Sequence, residues 1–186
     1  MIERIDEFIG RAYKTACEHG FHDEKTSLSH QMMLVIGEIG ECVEADRKGR
    51  RANLELFGKF SQIDFADSFK CNIKDTMEDE MADICIRLFD MCGCFEIEPL
   101  CAKVDLGKEW DNCFGKLSFT EQAYALVMIL CDCDEGTEAS ELEEIIGASL
   151  CFLDLWAKSR NFDLAKHIDL KMRYNEGRAY KHGKKY

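Results

Sequence analysis

The sequence predicts an all-α helical bundle, and three observations lead there. Pro99 is the only proline among 186 residues, so little interrupts a helix from within. Apolar residues recur at spacings of three and four, the period of a helix with one buried face. Runs that alternate apolar and polar, the mark of half-buried strands, are few. With 46% hydrophobic residues, the chain carries enough apolar side chains for one domain spanning residues 1–186.

The elements follow in order. Ile2, Ile5, Ile9, Ala12, Tyr13 and Ala16 form one apolar side of a helix over residues 2 to about 19. The stretch EHGFHDEKTS breaks it. Ser27 or Ser29 then caps a second helix that runs to about Lys48. The segment GRRANLELFGKFSQIDFADSF reads as a long loop containing one short helix. Asp75 or Thr76 starts the next helix, through MEDEMADICIRLFDMC. A connection holding Pro99 and DLGKEWDNCFGK follows, then helices over about 119–133, 138–159 and 162–177. The tail GRAYKHGKKY is basic.

The chain also compares with itself. LSHQMMLVIGEIGE from Leu28 resembles LSFTEQAYALVMIL from Leu117, and EMADICIRLFDM from Glu80 resembles EIIGASLCFLDL from Glu144. This outlines a duplicated two-helix unit, with halves at about 20–97 and 117–178. Coincidence stands beside duplication, because any two amphipathic helices share much of this pattern. In the second unit Val127 and Leu130 replace Glu38 and Glu41, and Gly147 replaces Asp83.

Charge and cysteine use exclude several classes. The formal net charge is −12, which argues against binding a nucleic-acid backbone. The apolar runs are too short and interrupted to span a membrane. Met1 to Gly20 is amphipathic rather than a secretory leader. Eleven cysteines at scattered spacing fit free thiols in a reducing cytoplasm. Neither CGC (92–94) nor CDC (131–133) has the spacing of a zinc site.

The residues that carry chemistry are acids set in apolar helices. A helix turns about 100° per residue, so Leu34, Glu38, Glu41 and Ala45 share a stripe, with Gln31 and His30 one to two turns earlier. Thr76, Glu80, Asp83, Arg87 and Asp90 share another. Carboxylates brought together away from water repel and lose hydration, and a cation relieves both. A hard ion such as Mg²⁺ takes oxygen ligands of this kind. One acid-x-x-acid pair means nothing by itself, because helices are full of them. A di-iron bundle needs Glu-x-x-His, and no histidine here follows a glutamate at that spacing.

At this point the sequence resembles a known family. MLVIGEIGECVEADRKGR, followed by EDEMADICIRLFD, is similar to the MazG-like all-α nucleoside triphosphate pyrophosphohydrolases, relatives of the dimeric dUTPases. Their hallmark, E-x-x-E on one helix and E-x-x-D on a later one, corresponds to Glu38, Glu41, Glu80 and Asp83. KMRYNEGRAYKHGKKY places Lys171, Asn175 and Arg178 in a matching K-x-x-x-N-x-x-R pattern. The resemblance covers residues 28–48, 76–95 and 163–186 well, and 49–72 and 96–160 loosely.

The resemblance implies hydrolysis of a nucleoside triphosphate to the monophosphate and pyrophosphate with Mg²⁺, for which Mn²⁺ can substitute. It implies Glu38, Glu41, Glu80 and Asp83 as metal ligands, and Glu38 or Glu41 as general base. Lys171, Asn175 and Arg178 would hold the substrate, with His30 as a further contact to base or sugar. It implies a homo-oligomer, which a pseudo-dimeric chain could dispense with. Arg87 is expected to pair with Asp83 or Asp90 and orient the ligands. Lys48, Arg50 and Arg51 either assist with phosphate or complement the helix C-terminus. Trp110, Phe57 and Phe60 are more readily core than base-stacking residues. The alternative from another class is a non-catalytic nucleotide-binding or regulatory bundle.

Overall fold

The computed structural model describes residues 1–101 and 114–183, apart from the side chain of His182. The described residues are all-helical, with no strand among them. After a 3-10 turn at Ile2–Arg4 come α1 (Ile5–Glu18), α2 (Leu28–Arg47), α3 (Leu54–Phe60), α4 (Phe65–Asn72) and α5 (Met77–Phe95). Then follow α6 (Phe119–Leu130), α7 (Ala139–Ser159), α8 (Leu164–Glu176) and a closing 3-10 turn at Tyr180–Gly183. Trp110, Lys184 and Lys185 lie outside the described residues.

Local chemistry explains where the site-bearing helices begin. Ser27 caps α2, its side chain accepting from the His30 amide at 3.2 Å. Glu135, from the α6–α7 connection, accepts from the amides of Leu28 (3.2 Å) and Ser29 (2.8 Å), placing a carboxylate at the positive end of α2. Thr76 caps α5, whose first turn carries Glu78, Asp79 and Glu80. α5 ends where Glu96 adopts a left-handed conformation (φ 55°).

α5 is the central helix. It packs against α1, α2, α7 and α8, which is why both its faces bury side chains such as Met81, Ile84, Leu88, Phe89 and Met91. α1 crosses it so closely that a Cβ on Gly93 would lie 2.4 Å from the Cβ of Tyr13. A smaller cluster of Phe57, Phe69 and Ile73 seats the α3–α4 hairpin against Leu170 and Tyr174 of α8. Phe57 is therefore core, whereas Phe60 is exposed. This hairpin differs from the expected single short helix in a loop. Asn53 and Asp64 cap two separate helices, each accepting a backbone amide at 2.9 Å.

Among the described residues every cysteine is free, and no helix is long and apolar enough to cross a membrane. In the second helix pair Leu130 is buried and Val127 half-buried, where the first pair carries Glu41 and Glu38. Gly147 meets the backbone of Leu100, which lies across α7.

Candidate active site

α2 and α5 pack side by side, and their acids converge. Glu38, Glu41 and Glu80 each offer an oxygen lying within 4.8 Å of the other two. Glu38 and Glu80 are buried at 7% and 4% exposure, while Glu41 is open to water. Helical spacing brings Glu38 and Glu41 together, and the α2–α5 contact adds Glu80.

Two neighbouring cations, Arg87 and Lys171, are already engaged. Arg87 donates from Nε to Glu38 Oε1 at 3.1 Å, and its Nη2 is equally close. Its partner is thus Glu38, not the expected Asp83 or Asp90. Asp90 instead meets His22 Nε2 at 2.7 Å. Among the described residues neither Glu41 nor Glu80 has an ion-pair partner within 4.0 Å.

Lys171 is placed differently from a phosphate ligand at the surface. It is 4% exposed, and its ammonium lies 2.7 Å from Asp79 Oδ2 and 2.6 Å from Asp83 Oδ2. The reason is geometric: Asp79 and Asp83 stand one turn apart on α5 and face α8, where Lys171 emerges. Asp83 is consequently tied to Lys171 and lies outside the three-glutamate cluster.

Asp79 is the residue missed in the sequence. It is fully buried, accepts from the Asp75 amide at 3.0 Å, and leaves Oδ1 without a partner among the described residues. Its spacing of four from Asp83 within an apolar helix was a readable signal. Its depth was not.

Electrostatics follow from burial and crowding. Five carboxylates (Glu38, Glu41, Asp79, Glu80, Asp83) share the region with two ion-paired cations, Arg87 and Lys171, while Arg178 and Arg50 line the adjoining cavities. Burial pushes the Glu80 carboxyl up to about 8, and Asp83, Asp79 and Glu41 add to it against the pull of Lys171. Burial, with Asp83 next, also raises Glu38 against the pull of Arg87. Burial pulls the Lys171 ammonium down, but Asp83 and Asp79 outweigh it and hold the group above its ordinary value. A hard divalent cation fits this donor set: its ligands are oxygens, three are present, and the excess charge is negative.

Glu38 also lines a cavity with Asp83, Arg87, Asn175 and Arg178, walled by Phe21, Ile86 and Met172. Asn175 and Arg178 are therefore brought to the acids. Asn175 is buried and Arg178 half-buried, with Arg178 Nη1 donating to Asn175 Oδ1 at 3.4 Å. On the other side, Glu41 and Glu80 line a wider cleft with Gly37, Gly40 and Arg50. His30 is half-buried one step away, in a cavity that shares Phe21, Arg87 and Asp90 with the first. Arg51 pairs with Glu78 at 3.2 Å, and Lys48 with Glu44 at 2.8 Å.

Comparisons with family models, with curated proteins and with solved structures find no match.

Proposed function

We propose that this protein is a MazG-like nucleoside triphosphate pyrophosphohydrolase, using Mg²⁺ (or Mn²⁺) to convert a nucleoside or deoxynucleoside triphosphate to the monophosphate and pyrophosphate. One observation carries the reading: Glu38, Glu41 and Glu80 converge from two helices, and among the described residues no cation is paired to Glu41 or Glu80. These three would hold the ion, and Asp83 stands beside them. When bound, the ion supplies charge neutralisation for the phosphates and activation of water.

The chain's own residues account for the rest. Burial makes the Glu38 carboxylate more basic than an ordinary glutamate, which suits it to accept a proton. Arg87 holds that carboxylate in one orientation. Glu41 is the other candidate base, and its exposure suits it better to metal and water contact. Asn175 and Arg178 face the Glu38 cavity, where an amide and a guanidinium suit sugar and phosphate oxygens. Lys171 acts one layer back, fixing Asp83 and Asp79. A cytoplasmic setting belongs to the same proposal.

One observation favours the non-catalytic nucleotide-binding alternative: Asp83 is committed to Lys171, which leaves a three-acid cluster instead of four. Pyrophosphate release from a panel of canonical and modified triphosphates, with Mg²⁺ and with EDTA, separates the two. The enzyme reading expects Mg²⁺-dependent release from at least one substrate, lost in Glu41→Gln. Nucleotide binding without release by the folded protein would move the assignment to the alternative.

A further inference from the structure

In this acidic chain most arginines near the surface are neutralised by carboxylates. Arg4 and Arg11 share Asp169, and Arg51 meets Glu78. Arg173 and Arg178 are held in another way. The Arg173 guanidinium lies over the Phe65 ring, 4.0 Å from its centre. The Arg178 guanidinium lies 5.9 Å from the Tyr174 ring, which is itself stacked on Phe69 at 4.4 Å and 12°. Aromatic seats orient a guanidinium without cancelling its charge.

These two arginines and Lys70 line one cleft of about 370 Å³ between α4 and the C-terminal turn. Among the described residues no aspartate or glutamate lines it. Lys70 has one carboxylate contact, Asp67 at 3.2 Å, and both side chains are largely exposed, so water screens that pair. The cleft is therefore a positive pocket on a molecule of net charge −12. Arg178 also lines the Glu38–Asp83 cavity, so one side chain belongs to both the acidic and the basic region.

We propose that this cleft is a subsite for a condensed phosphate, taking the terminal phosphates of the substrate and the pyrophosphate formed from them. Two guanidinium forks and an ammonium match an anion with several charges spread over tetrahedral oxygens. Pre-seated arginines lose less freedom when the anion arrives. The shared Arg178 is what ties the cleft to the substrate's own phosphates. That tie rests on the function proposed above, whereas anion binding by the cleft does not depend on the metal.

Calorimetric titration with sodium pyrophosphate in EDTA tests this directly. The wild type is expected to bind one equivalent, Arg173→Ala and Lys70→Ala to bind about tenfold more weakly or worse, and Glu41→Gln to bind no more weakly than wild type. Both substituted basic side chains are exposed, so the variants should fold. No binding by the wild type, or unchanged binding by both variants, overturns the subsite. Binding in EDTA without any Mg²⁺-dependent hydrolysis would sink the proposed enzyme and leave the basic cleft as an anion site. With Mg²⁺ and substrate, Arg173→Ala should raise KM while kcat changes little. An unchanged KM with weakened inhibition by added pyrophosphate would overturn the substrate assignment and make the cleft a site for free anion.

Discussion

Glu80 lies almost wholly out of water beside two other glutamates, so its protonation reports what fills the site. Its ordinary value of 4.5 is pushed up to about 8 by burial. Between those values the folded protein holds protons that the unfolded chain has released, so stability falls as pH rises through the window. Glu38 and Asp79 are shifted in the same direction. In EDTA, urea unfolding should therefore show a loss of up to a few kcal/mol between pH 5 and pH 8.5, and Glu80→Gln should flatten the slope. A pH-independent midpoint in the wild type would contradict the crowding. Glu41 is exposed, so Glu41→Gln should leave the fold intact while lowering turnover by about 100-fold or more, read as pyrophosphate release. The glutamates were legible in the sequence because spacing alone places Glu38 and Glu41 on one stripe. Lys171 was only half legible: its spacing from Asn175 and Arg178 gives a shared face, but not that Asp79 and Asp83 draw it into the interior.

α8 is pinned to α5 through that lysine, which makes the pair of helices a testable unit. Lys171→Met removes the cation and leaves the buried Asp79 and the half-buried Asp83 without it, so the folded state should lose about 3–5 kcal/mol in chemical denaturation. A loss under about 1 kcal/mol would mean that Asp79 and Asp83 are neutral without it. α7 offers a second test. A Cβ on Gly147 would lie 2.8 Å from Leu100 N, and the Leu100 amide donates to Glu143 O at 3.2 Å. Gly147→Ala should thus cost about 1–3 kcal/mol by lifting the Glu98–Cys101 segment off the helix, visible as a lower melting temperature. The helices that bear the site were readable because caps and apolar period coincide at Ser27 and Thr76. The α3–α4 hairpin was not, because helices of seven and eight residues are too short for the period to show. Its order comes from packing on α8, a contact distant in sequence.

Across the whole molecule, charge is distributed in a way that composition alone hides. A net charge of −12 suggests a uniformly acidic body, yet three glutamates converge where α2 meets α5 and a basic cleft faces α4. Such a field draws divalent cations and weakens in salt. Mg²⁺ should raise the melting temperature of the wild type by stabilising the folded state alone. That rise should shrink in high salt. The most direct measurement is titration of Mn²⁺ followed by electron paramagnetic resonance, comparing the wild type with Glu41→Gln and Glu80→Gln. A saturable site present in the wild type and lost in both variants is the predicted result. Equal Mn²⁺ binding by all three proteins would contradict a metal centre built from Glu38, Glu41 and Glu80.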